Sequence, residues 1–210
     1  MHETARHNRL AGLLLPLLIT LAVPAFADTS VEVGAHLLAA EVALEADDYL
    51  EAVREYRKAA ELSDDVEIAQ RAARLGFEFG FSDEAMLAAE RWRELEPDDP
   101  SVQRVIALLE LRLGKLKKAR RSYRQIIEDS PGPADKAVAQ LLSEFADEDA
   151  ANADKLMRML AKPYDDSAAV AYASAVLALQ AGDDEYAAEK ALRAIELDED
   201  FIKAKLLYAR

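Results

Sequence analysis

Asp65-Val66-Glu67-Ile68-Ala69-Gln70-Arg71-Ala72-Ala73-Arg74-Leu75, continuing through Phe81-Ser82-Asp83-Glu84-Ala85 to Trp92 and Glu96-Pro97-Asp98-Asp99-Pro100, reads as a helix, a turn and a second helix closed by proline. Ala85 in this stretch is one of five alanines, Ala52, Ala85, Ala119, Ala153 and Ala187, spaced 33, 34, 34 and 34 residues apart. Other columns recur at fixed offsets from them. Twelve residues earlier stand Ala40, Ala73, Ala107, Leu141 and Ala175, and five earlier stand Asp47, Gly80, Gly114, Glu148 and Gly182. Twelve later come Asp64, Pro97, Pro131, Asp165 and Glu199. The fourth set, with Leu141 and Glu148, is degenerate.

Each column has a physical reason. Two antiparallel helices pack closely only where small residues let their backbones approach, so the alanines mark crossings. Gly80, Gly114 and Gly182 end first helices at a left-handed backbone angle that costs glycine little. Pro97 and Pro131 end second helices, because proline cannot continue one. Val105, Leu108 and Leu109, and again Ile126 and Ile127, follow the spacing of a buried helical stripe. No segment after the leader shows sustained strand alternation.

A period of this length, built from these columns, resembles the tetratricopeptide-repeat solenoid. The resemblance spans about residues 33–210 and implies an all-α, right-handed α-α superhelix. Five helix-turn-helix repeats are expected over 33–65, 66–99, 100–133, a degenerate 134–167, and 168–200, preceded by a short segment, 28–32. Residues 201–210 read as the first helix of a sixth repeat with no polar capping helix after it. We expect a fragment of a longer array; atypical packing of the last helix is the alternative.

Residues 1–27 read as a secretory signal peptide: Arg6 and Arg9 precede an apolar run from Leu10 to Val23, and Ala25-Phe26-Ala27 offers small residues for cleavage. The rival reading, an uncleaved anchor, needs roughly 20 apolar residues, and this run is shorter and contains Pro16. Export to the periplasm of a Gram-negative bacterium is the expected localisation. Without the leader the chain holds 24 basic and 39 acidic residues, a net charge of −15. That balance opposes nucleic acid and anionic lipid as partners. Against it stand Lys115, Lys117, Lys118, Arg120, Arg121 and Arg124, either a solvated outer face or a docking patch for an acidic partner.

Parts for chemistry are missing from the sequence. His36 is the sole histidine after the leader, and there is no Gly-x-Ser-x-Gly elbow, His-Glu-x-x-His motif or phosphate loop. Asp147, Glu148, Asp149 and Asp154 lack the glycine and ligand order of a calcium loop. With no cysteine, neither a disulfide nor a lipid-modified N-terminal cysteine can form. The expectation is a protein that is not an enzyme and has no metal or cofactor.

In the tetratricopeptide superhelix the first helix of each pair lines the concave face. By that resemblance the groove residues are Leu37, Glu41 and Leu44, then Gln70, Arg74 and Phe77, then Arg104, Leu108 and Leu111. The last two repeats add Val138, Leu142 and Phe145, and Tyr172, Val176 and Leu179. The set becomes apolar towards the C-terminal half. Such a surface either accepts an amphipathic helix or apolar extended segment of another protein, or is covered by further repeats or by the chain's own N-terminal segment. The lysines and asparagines of carboxylate-clamp members are absent from these positions.

The stretch from Asp65 to Pro100 also resembles the opening repeats of long envelope tetratricopeptide proteins. One such group comprises outer-membrane lipoproteins that bind a carboxyl-terminal processing protease and present cell-wall hydrolases to it. The resemblance implies a scaffold or adaptor recruiting an envelope protease, hydrolase or assembly component. The leader lacks a lipobox cysteine, so outer-membrane anchoring does not carry over. Two other readings are a structural assembly factor for an export or polysaccharide-secretion complex, and the docking arm of a larger enzyme continuing beyond residue 210.

Overall fold

The structure is a computed structural model that describes residues 26–209. The expected leader lies outside the described residues except for Phe26 and Ala27, whose backbone opens the first helix. The helices pair as α1 (Phe26–Glu45) with α2 (Tyr49–Leu62), α3 (Val66–Glu78) with α4 (Ser82–Leu95), and α5 (Pro100–Arg112) with α6 (Leu116–Asp129). Then come α7 (Ala134–Phe145) with α8 (Ala150–Ala161), α9 (Ala168–Gln180) with α10 (Asp184–Leu197), and α11 (Ile202–Tyr208). A 3-10 turn, Lys162–Tyr164, follows α8. The described residues contain no strand, and none of their helices is long and apolar enough to cross a membrane.

Residues 28–32, expected as a separate lead-in, belong to the first turns of α1, because no proline interrupts the chain between Phe26 and Gly34. Aspartates start five of the other helices. Asp48, Asp65, Asp99, Asp149 and Asp183 each accept a backbone N–H of the first turn, at 2.8 to 3.2 Å. Each bond satisfies a donor that has no partner within the helix.

The turns inside repeats share one construction. Gly80, Gly114 and Gly182 have φ of +79°, +65° and +77°, and Asp47 occupies the same column at +56°. The next residue donates its N–H back to the carbonyl five residues earlier: Phe81 to Gly76, Lys115 to Glu110, Asp183 to Ala178 and Asp48 to Ala43. These separations are 2.8 to 2.9 Å. This is the Schellman ending of a helix. Repeat four departs from it: Glu148 stands at the glycine column, its backbone angle is not left-handed, and its N–H reaches only to Phe145 O at 3.1 Å.

Repeat four is irregular in packing too. Elsewhere each first helix lies mainly against its own second helix; α7 instead packs chiefly on α9, and α8 bridges α6 and α9. Leu141 fills the crossing column that alanine holds in the other repeats, so α7 cannot approach α8 as closely. Two large apolar clusters result. One joins repeats one to three through Ala40, Tyr56, Ala73, Ala85, Trp92 and Leu109. The other runs from Ala107 and Tyr123 through Phe145 and Met157 to Leu177. Each buries apolar surface that no single helix pair could cover.

Candidate protein-binding groove

The expected groove residues lie on α1, α3, α5, α7 and α9, and the structure separates them into three groups. Arg74, Phe77, Arg104 and Leu108 converge. With Ala73, Val105, Glu78 and Glu144 they border a depression of about 410 Å³ between α3 and α5. Its floor is apolar, from Ala73, Phe77, Val105 and Leu108, and two arginines and two glutamates stand around it.

The rim is held by named contacts. Arg104 Nη1 donates to Glu144 Oε2 at 3.1 Å, and the Tyr123 hydroxyl donates to the other carboxylate oxygen at 2.6 Å. Tyr123 is fully buried, and burial, with the Glu144 carboxylate beside it, pushes its hydroxyl far above the ordinary range. Behind Phe77 lies the Arg112 guanidinium, 3.6 Å from the ring centre. Arg112 also donates to Phe77 O at 2.9 Å and, through Nε, to both carboxylate oxygens of Glu148 at 2.8 and 3.0 Å. Three consecutive repeats therefore fix the position of one aromatic ring. Arg74 forms no ion pair among the described residues; its Nε donates to Gln70 O at 3.4 Å, and its side chain is exposed.

A second group lies outside this depression. Glu41 accepts from Tyr56 and from Arg71 Nη2, the latter at 3.1 Å, and burial together with Glu41 pushes the Tyr56 hydroxyl up to about 12. Gln70 Nε2 reaches Glu96 at 3.5 Å. Leu37 and Leu44 pack at the edge of the N-terminal cluster and Leu142 at the edge of the central one. Tyr172 meets Phe201 at 5.0 Å between ring centres, and Val176 and Leu179 are half-buried on α9.

Leu111, Val138 and Phe145 form the third group, and here the expectation is corrected. All three are fully buried in the central cluster and present no surface to a partner. Phe145 packs edge-on against Tyr123 at 5.0 Å between ring centres. The displaced α7 turns Val138 and Phe145 into the core, where Leu111 of α5 is buried with them, so repeat four adds little apolar surface to the row. Of the expected groove residues, those that border the apolar depression belong to repeats two and three.

Val105 and Glu144 were not among the expected residues, and only Val105 had a signal. Val105 lies three residues before Leu108 and so shares its helical face. Glu144 shares its column with Glu110 of repeat three, while the other repeats hold Ala43, Gly76 and Ala178 there, so the column by itself does not single Glu144 out. His36 is structural in setting, its Nδ1 2.6 Å from Glu55 Oε2. Asp149 caps α8, Glu148 holds Arg112, and Asp154 accepts from Arg158 Nε at 2.8 and 2.9 Å. Among the described residues, no three His, Asp or Glu side chains stand close enough to share a metal ion.

No protein-family model matches the chain. No curated protein matches it either. Solved structures with similar folds include MamA from Desulfovibrio magneticus RS-1, residues 41 to the end. It is 15% identical, with 81% of this chain and 97% of that one covered and a TM-score of 0.44. Another is YrrB, described as a TPR protein with an unusual peptide-binding site. It is 17% identical over 83% of this chain and 91% of that one, with a TM-score of 0.43. These scores are low, so the assignment rests on the helices themselves. Paired helices, left-handed turns at a fixed column and shared apolar clusters make the described chain an all-α solenoid of the tetratricopeptide type.

Proposed function

We propose that the chain is a non-catalytic protein-interaction scaffold of the bacterial cell envelope that holds a partner segment on its row of first helices. The observation that carries this reading is the apolar depression at Phe77, Val105 and Leu108 with Arg74, Arg104, Glu78 and Glu144 around it. A floor of this size takes one or two apolar side chains, as the anchors of an amphipathic helix or extended segment would present. The rim charges then fix the direction in which the segment lies. Phe77 is held in place by Arg112 before any partner arrives, which lowers the ordering cost of binding. The envelope location rests on the leader pattern, and the partner class, a protease, cell-wall enzyme or assembly component, rests on the resemblance of residues 65–100.

Site-specific photo-crosslinking tests it. A crosslinker at Arg74, on the rim, is expected to capture a discrete partner from envelope extracts, and one at the exposed Glu90 of α4 is not. Equal capture from both rows would reject the groove as the working surface.

A further inference from the structure

Six of the chain's 26 lysines and arginines fall within residues 115–124, a stretch with no acidic residue in a protein of net charge −14. All six, Lys115, Lys117, Lys118, Arg120, Arg121 and Arg124, are exposed. The buried face of α6 is made by Ala119, Tyr123, Ile126 and Ile127, so these cations are not needed to cover the core.

Their clustering is what sets them apart, since several cations elsewhere are paired across helices while others, such as Arg74, stand singly. Arg57, Arg91, Arg104, Arg112 and Arg158 each sit within 3.2 Å of a carboxylate from another helix or turn. On α6 the sole ion pair among the described residues is Arg124 with Glu128, at 3.9 Å. Lys117, Arg120, Arg121 and Arg124, with Gln125 and Glu128, instead border a shared depression of about 350 Å³. The arrangement also works against the helix. Lys117 and Arg121, and Arg120 and Arg124, are like charges four residues apart, which disfavours a helix. Lys117 and Lys118 occupy the first turn, where α2, α3, α4, α7 and α10 carry acids that suit the helix dipole. Packing of the buried face keeps α6 helical, but the exposed cations add nothing to that packing.

We infer that the exposed face of α6 is a second docking surface, which binds a short acidic segment of a partner protein. The cations at 117, 121 and 124 form one stripe along the helix, matched by carboxylates spaced three and four residues apart on the incoming segment. Length decides between this ligand and larger polyanions. Ten residues of helix span about 15 Å. A short segment touches only that span, and the acids beyond it are screened over a Debye length of about 8–10 Å. A flat anionic membrane or a long nucleic acid would also meet exposed acids beside this stretch, Glu128 and Asp129 at the end of α6 and Asp147 and Asp149 before α8, which packs on α6. This surface shares no residue with the groove, so the two readings stand or fall separately.

The test is fluorescence anisotropy of a labelled deca-glutamate peptide titrated with the full chain, beside a deca-glutamine peptide. The comparison variants are Lys117→Gln, Arg121→Gln, Arg124→Gln together, and Lys162→Gln, Lys203→Gln, Lys205→Gln together. The first set should weaken glutamate binding by about tenfold or more, leave the melting temperature equal or higher, and remove most of the salt dependence. The second set, with the same loss of charge, should bind like the parent. Equal weakening by both sets would overturn the assignment. So would tighter binding to phosphatidylglycerol-containing vesicles than to the peptide. Concentration-dependent sedimentation of the parent, abolished in the first set, would overturn it in favour of a second copy of this chain.

Discussion

Gly76 lies where α3 crosses α4, and a Cβ placed on it would stand 2.9 Å from the Cβ of Ala85 and 3.0 Å from that residue's backbone. Neither neighbour can swing aside, because both belong to the opposing helix. Alanine in place of glycine normally favours a helix by about 1 kcal/mol. Here overpacking costs roughly 1–3 kcal/mol, so Gly76→Ala is expected to lower stability in urea unfolding, and a gain would disprove the crossing. The same reasoning separates two neighbours on α6. Ala119 is fully buried and Lys118 exposed, so Ala119→Leu should cost roughly 1–3 kcal/mol while Lys118→Leu stays within about 0.5 kcal/mol of the parent. Residue types carried these positions plainly: small residues recur at the crossings and glycine at three of the five turn columns. Asp47 fits the column because aspartate tolerates the left-handed angle better than most side chains.

Between elements, ionic contacts join one repeat to the next. Arg112 on α5 reaches back to Phe77 on α3 and forward to Glu148 before α8, whose side chain is only 6% exposed. Removing the guanidinium strands a nearly buried carboxylate. Arg112→Met is therefore expected to cost roughly 2–4 kcal/mol and to raise hydrogen exchange at α3 and α8 together; an effect confined to α5 would argue against the link. Glu84 on α4 accepts from Arg57 and Arg54 of α2 at 2.8 and 3.2 Å. Burial alone would raise its carboxyl, but the two guanidiniums outweigh that and hold it below its ordinary 4.5. A carboxyl lowered by folding stabilises the native state above its unfolded value, and that share disappears as pH falls through the folded value. Acid also relieves the repulsion of an acidic chain, so the informative quantity is a difference. Parent and Glu84→Gln should differ by about 1 kcal/mol at neutral pH, and the gap should close below about pH 4.5. A gap that persists at lower pH would remove the ionic explanation. These links were illegible in the sequence, since partners 36 residues apart carry no local pattern.

Across the whole molecule, stability is shared between two clusters that meet near Ala107 and Leu109. In a solenoid each repeat is held mainly by its neighbours, so damage stays local. Met157 is fully buried in the central cluster, and Met157→Ala should cost roughly 2–5 kcal/mol. Hydrogen exchange should rise over α5 to α9 before it rises in α1 and α2; uniform loss of protection would mean the solenoid unfolds as one unit.

Repeat length, helix pairing and most turn positions were determined by the sequence alone, because each depends on contacts within about 34 residues: apolar stripes, aspartate caps and left-handed glycines. Which first-helix side chains form a surface was decided only by the tertiary structure. Leu108 borders the depression while Leu111, in a matching groove column, is fully buried. The difference arises from the neighbouring repeat, where Leu141 at the crossing displaces α7 onto α9 and turns Val138 and Phe145 inward. A periodic pattern states which residues share a helical face; the placement of the next repeat determines what covers that face.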